Sequence, residues 1–141
     1  MEYEVDMELR VCSVGISANS MYLLVSTEDG ETRMLDLETR ERVREFRGQP
    51  VDNFVIRASY GGANESFVLT GSKGKLLLYG PCSYNTMLTN TDGYIYIWHK
   101  ATGKLIEKLL GHKNGCCTAV SWSPTNPSMF ASAGDDKKVR M

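Results

Sequence analysis

The sequence predicts an all-β chain built from repeated antiparallel units, and three observations carry that prediction. Short apolar or alternating runs recur along the chain, each bounded by Gly, Asp, Asn or Pro, as in strands joined by tight turns. One plan is repeated three times: VCSVGIS–MYLLVST–EDG–ETRMLDLETRERVREF, then VDNFVIRASYGG–SFVLTGS–DG–YIYIWHKATGKLIEKLLGH, then CCTAVSWSP–SMFASAG–DD–KKVRM. No stretch sustains the 3.6-residue periodicity of an amphipathic helix. Four strands per unit at a period of roughly 40–45 residues is the spacing of a β-propeller blade. The expectation is a partial propeller of about two and a half four-stranded antiparallel blades, with the ring not closed.

Taken in order, residues 1–10 read as a segment of a preceding blade and residues 11–48 as a first, degenerate blade. Residues 49–112 form a second blade interrupted at 73–91, and residues 113–141 a truncated third. In YIYIW the β-branched and aromatic residues alternate, so Tyr94, Tyr96 and Trp98 face one side of the sheet and Ile95 and Ile97 the other. Asp29, Asp92 and Asp136 hold the same turn position in the three units. Trp98 lies six residues after Asp92, and six beyond Asp136 passes Met141, so the third unit is expected to stop short of its aromatic.

The balance of 42% hydrophobic and 23% charged residues over 141 residues is that of one globular domain. A net charge of −1 supplies no basic field for nucleic acid or anionic lipid. No apolar run nears the roughly 20 residues of a membrane helix. The acidic start MEYEVDMELR lacks the apolar core of a secretory signal, and the expected location is cytoplasmic or nuclear. Cys12, Cys82, Cys116 and Cys117 include no C-x-x-C pair, and the adjacent Cys116 and Cys117 point to opposite faces of a strand. They are expected to be reduced core thiols, with no metal bound.

These units resemble the WD-repeat family. Gly111–His112 matches the dipeptide that opens a repeat, and Trp98–His99 stands where the family's Trp-Asp falls. The resemblance implies a hydrogen-bonded chain of turn His, strand Ser or Thr, turn Asp and strand Trp in each blade. The third unit offers His112, Ser132 and Asp136 without a Trp. The second offers Thr70, Asp92 and Trp98, with Gln49 in place of the His. The first has Val25 and Leu35 at the Ser and Trp positions, so its network is expected to be absent. The stretch FVIRASYGG…FVLTGS…DGYIYIWHKATGKLIEKLLGH…VSWSPTNPSMFASAGDD is similar to the last blades of the WD-repeat subunits of glucose-induced-degradation (CTLH) ubiquitin ligases. In that family the subunit also carries an N-terminal helical region, and none is expected within these 141 residues.

One segment breaks register. Ser72 should be followed by one residue and an Asp, yet Asp92 arrives twenty residues later, a surplus of eighteen. One reading is a loop insertion, which a propeller tolerates because loop closure entropy grows slowly with length. The other is a translated intron. Gly74–Lys75, Met87–Leu88–Thr89 and Thr91–Asp92 can encode a donor, a branch site and an acceptor in that order. Excision restores GSK-D-GYIYIW in frame, and codons that do not spell those signals would sink the idea. Either way Lys73–Thr91 is expected to be a poorly packed excursion that leaves the flanking strands paired.

Candidate chemistry is sparse. No nucleophile elbow, zinc-protease helix or phosphate loop occurs. His112 reads as a structural turn residue, His99 as an exposed polar residue, and Asp135–Asp136 as turn carboxylates, not an acid–base pair. The alternating run Arg40–Glu45 fits a solvated outer strand or turn. The expected function is a non-catalytic protein-interaction scaffold without cofactor or small-molecule substrate. The resemblance implies as partners the other subunits of a ubiquitin ligase that feeds proteasomal degradation. A WD-repeat adaptor of a chromatin or transcription complex is an alternative, as is a truncated product whose unpaired edges aggregate. Arg33, Arg57 and Tyr60 are the candidate partner-binding residues, taken as exposed turn positions.

Overall fold

A computed structural model describes residues 4–47, 54–73, 77–78, 87–88, 93–113 and 115–141. The first unit is a meander of β1 (Val11–Ile16), β2 (Tyr22–Thr27), β3 (Thr32–Asp36) and β4 (Arg42–Phe46), each paired antiparallel with the next. Its turns follow from their residues. Gly30 takes φ 83° between β2 and β3, a left-handed conformation that glycine adopts without steric cost. Between β3 and β4 the Asp36 carboxylate accepts the Glu38 and Thr39 amides at 2.8 and 3.0 Å, which closes the turn over its own backbone.

The second unit contains β5 (Phe54–Gly61) and β6 (Phe67–Lys73), joined through a 3-10 turn at Ala63–Glu65. A short ladder of β7 (Leu77–Leu78) and β8 (Met87–Leu88) precedes β9 (Tyr94–His99) and β10 (Leu105–Leu110). The sheet order is β10-β9-β6-β5, so β6 and β9 pair directly, with Thr70 opposite Tyr96 and Gly71 opposite Ile95. The excursion therefore leaves its flanking strands in register, as expected, and most of it lies outside the described residues. The third unit is a three-stranded sheet of β11 (Cys117–Trp122), β12 (Phe130–Gly134) and β13 (Lys138–Arg140). Besides the β7–β8 ladder, the described strands make three successive sheets and no closed ring.

The alternation in β9 is what joins the sheets. Tyr96 and Trp98 enter one core with Leu24, Met34 and Phe46 of the first sheet and Ala58, Tyr60 and Val68 of the second. Ile95 and Ile97 enter the other, with Leu69 and with Cys117 and Val120 of the third sheet. Each strand face therefore serves a different interface, and burial of a large aliphatic side chain contributes about 1.5–3 kcal/mol. Gly61 lets the third sheet close on the second: a Cβ there would stand 2.1 Å from the Trp122 ring. The freed space brings Trp122 into a stack with Phe67 at 5.9 Å between centroids.

Cysteine burial departs from expectation at one position. Cys116 and Cys117 are buried, but Cys12 is exposed, because most side chains of β1 face solvent, Val14 and Ile16 among them. Cys82 lies outside the described residues.

Candidate functional site

The polar cluster of the third unit is assembled by backbone geometry at the end of β10. The amides of Gly111 and His112 both donate to the Gly93 carbonyl, at 3.1 and 2.9 Å, and this turns the His112 ring under β12. Gly134 supplies the room, since a Cβ there would lie 2.4 Å from the ring. His112 Nδ1 lies 2.8 Å from Asp136 Oδ1, and His112 Nε2 lies 3.0 Å from Ser132 Oγ. With the proton on Nδ1, His112 donates to Asp136 and accepts the Ser132 hydroxyl. Arg140 Nη1 donates to Asp136 Oδ2 at 2.9 Å. Burial pushes the Asp136 carboxyl up, but the hydrogen bonds from Arg140 and His112 outweigh that and hold it at about 2.

Ser, His and Asp in hydrogen-bonded sequence is also the order of a hydrolytic triad. Here His112 and Ser132 are 0% and 2% exposed, so a substrate carbonyl has no approach to the hydroxyl. The geometry works as a clamp that ties the entry to β11 to the β12–β13 turn. Among the described residues, no group of three or more His, Cys, Asp or Glu is placed to hold a metal ion. Burial pushes the Cys117 thiol up to about 11, which leaves it protonated and unreactive.

The other two units are held differently. Asp92 lies outside the described residues. Trp98 spends its single N–H on the Arg47 carbonyl at 2.8 Å, and the ladder sets Val68, not Thr70, opposite it. The implied Thr70–Trp98 link is therefore replaced by a bond from the second sheet to the end of the first. Thr70 itself is fully buried. The first unit, expected to lack a network, has one of another composition. Thr27 Oγ1 donates to Asp29 Oδ1 at 2.6 Å, and Arg33 bonds Thr27, Asp29 and Glu31, the last two at 2.6 Å. Opposite charge and hydrogen bonding lower the Asp29 pKa against the effect of burial and raise that of Arg33.

The partner-binding candidates are therefore corrected. Arg33, Arg57 and Tyr60 all sit on strands, not turns. Arg33 is consumed by its ion pairs, and Tyr60 is buried in the core between the first two sheets. Arg57 alone is exposed, beside the register shift of β5. The overlooked signal was a spacing: Asp29 with Arg33 and Asp136 with Arg140 place a turn carboxylate and a strand arginine four residues apart in two units.

Sheets of this topology, joined face to face and pinned by a His–Ser–Asp turn cluster, define a WD-repeat chain. The family described as "WD domain, G-beta repeat" matches residues 103–141 of this chain. Nearly its whole length is also similar to a part of larger curated proteins. It is 35% identical to GID complex subunit 7 of Schizosaccharomyces pombe over 98% of this chain and 24% of that protein. It is 34% identical to a WD repeat-containing protein 26 homolog of Arabidopsis thaliana over 100% of this chain and 21% of that protein. A WD repeat-containing protein 26 homolog of Drosophila melanogaster is 36% identical over 89% and 17%. The chain thus spans a quarter or less of the length of these relatives.

Proposed function

We propose that the chain serves as a protein-interaction scaffold in a GID/CTLH-type ubiquitin ligase, holding partner subunits or substrates for proteasomal degradation without catalysing a step itself. The observation that carries this reading is the similarity to GID complex subunit 7 along 98% of the chain. Physical support comes from the way the sheets stack: the two interfaces between them bury the two opposite faces of β9, so the loops at the sheet ends project from a rigid frame. The proposed site of action is the cytoplasm or nucleus. Affinity purification of the tagged chain from cells, followed by mass spectrometry, tests the reading. RING-type ligase subunits are expected above the level of a tagged control, and their absence would refute membership of such a complex.

A further inference from the structure

A groove of about 350 Å³ runs between the first and second sheets. Its floor is apolar, with Tyr22, Met34 and Val43 from the first sheet and Ala101 from the second. Its polar wall comes from Arg44 on β4, Glu65 and Ser66 after β5, and Lys100 after β9. The run containing Arg44 was expected to be solvated, and its neighbours are: Arg42 and Arg47 bind Glu45 at 2.5 and 2.6 Å. Arg44 instead turns inward. A Cβ at Gly103 would stand 3.0 Å from Arg44 Cδ and 3.4 Å from Cγ, so that glycine, at φ 71°, leaves the channel that the arginine stem occupies. The Arg44 Nε is buried and has no hydrogen-bond partner among the described residues.

A buried guanidinium donor without an acceptor is costly, and none of the described side chains lining the groove accepts a hydrogen bond from it. Its one carboxylate is already committed. Glu65 Oε1 accepts the Ala18 amide at 2.9 Å, and Oε2 pairs with Lys100 at 3.7 Å. Lys100 is further pinned over the Tyr22 and Tyr60 rings, at 5.3 and 4.8 Å from their centroids. Glu65 offsets Lys100, and among the described residues lining the groove no carboxylate is left to balance the positive charge of Arg44. A monoanion balances it, whereas a phosphate dianion would overshoot. The apolar floor beside it suits aliphatic neighbours of that anion.

We propose that this groove takes an acidic side chain, Asp or Glu, from an extended segment of a partner protein, with Arg44 as its ion-pairing residue. The proposal rests on the scaffold reading above and names the chemistry of the partner. An oriented peptide library captured on the immobilised 141-residue chain tests it. Peptides carry a central Glu or Asp among uncharged residues, and parallel pools carry Gln or Asn, or phosphoserine, at the centre. The acidic pool should be retained roughly tenfold or more over the amide pool, as for a charge-assisted bond. Arg44→Gln should abolish that preference, Arg44→Lys should weaken it, and Arg42→Gln should leave it unchanged. An equal preference in Arg44→Gln, no preference in the native chain, or stronger retention of phosphoserine would each overturn the proposal. Recovery of ligase subunits by Arg44→Gln at the native level, alongside lost acid preference, would confine the groove to another partner and leave the scaffold reading standing. If the native chain recovers no such subunits, the scaffold reading alone fails, because the library reports the groove independently.

Discussion

Replacing Gly134 by Ala tests the His112 clamp directly. The added Cβ would lie 2.4 Å from His112 Cγ and Nδ1 and 2.8 Å from the Cys116 carbonyl, both well inside van der Waals contact. The ring is fully buried and cannot swing into solvent, so it must shift and lose its bonds to Asp136 and Ser132, made at 2.8 and 3.0 Å. Two such bonds are worth about 1 kcal/mol each, and forced overpacking costs about 1–3 kcal/mol more. The lower unfolded-state entropy of Ala offsets about 0.5–1 kcal/mol. The net expectation is a loss of about 2–4 kcal/mol, a large share of the stability of a domain of this size. Urea unfolding followed by the emission of Trp98 and Trp122 measures it. The mechanism predicts coupling: in a His112→Ala background the collision with the ring is gone, and Gly134→Ala should cost about 2 kcal/mol less. Additive effects within about 0.5 kcal/mol, or an unchanged midpoint for the single variant, would refute it.

Trp98→Phe removes the N–H that reaches Arg47 and strands that carbonyl, so the urea midpoint should fall by the equivalent of about 1–3 kcal/mol; no measurable change would show that this link between sheets is idle. Asp136 binds its proton more weakly folded than unfolded. Its stabilisation is therefore full above the ordinary 3.8 and drains away as pH falls towards about 2. Asp136→Asn should flatten that acid limb, and an unaltered pH profile of thermal melting would contradict the assignment. Deleting residues 74–91 shortens the connection between β6 and β9, which already pair, and should raise stability by about 2 kcal/mol through closure entropy. A lowered midpoint would show that the segment packs, and transcripts lacking these codons would establish the intron reading.

The repeat plan was legible because strand alternation and turn residues are local. Tyr94, Tyr96 and Trp98 had to leave one face of β9 and Ile95 and Ile97 the other, and the two cores divide them accordingly. The His112 position was legible through the dipeptide it shares with WD repeats. Less could be read at Arg33, Arg44 and Tyr60. An arginine in a charged run looks solvent-facing until its neighbours are placed. Arg33 meets Asp29 and Glu31 across one turn, whereas Arg44 is drawn inward by a glycine of the next sheet. Trp98 shows the same limit, because its acceptor is fifty-one residues away.

The sequence by itself determined the strands, their turns and the repeat, since these depend on residues a few positions apart. Only the tertiary structure decided which polar groups find partners: Trp98 reaches Arg47, Glu65 is divided between Ala18 and Lys100, and the Arg44 Nε is left without an acceptor among the described residues. Those pairings depend on how one sheet sits against the next. Burial then sets their worth, because a donor left unmet is costly only where water cannot reach it.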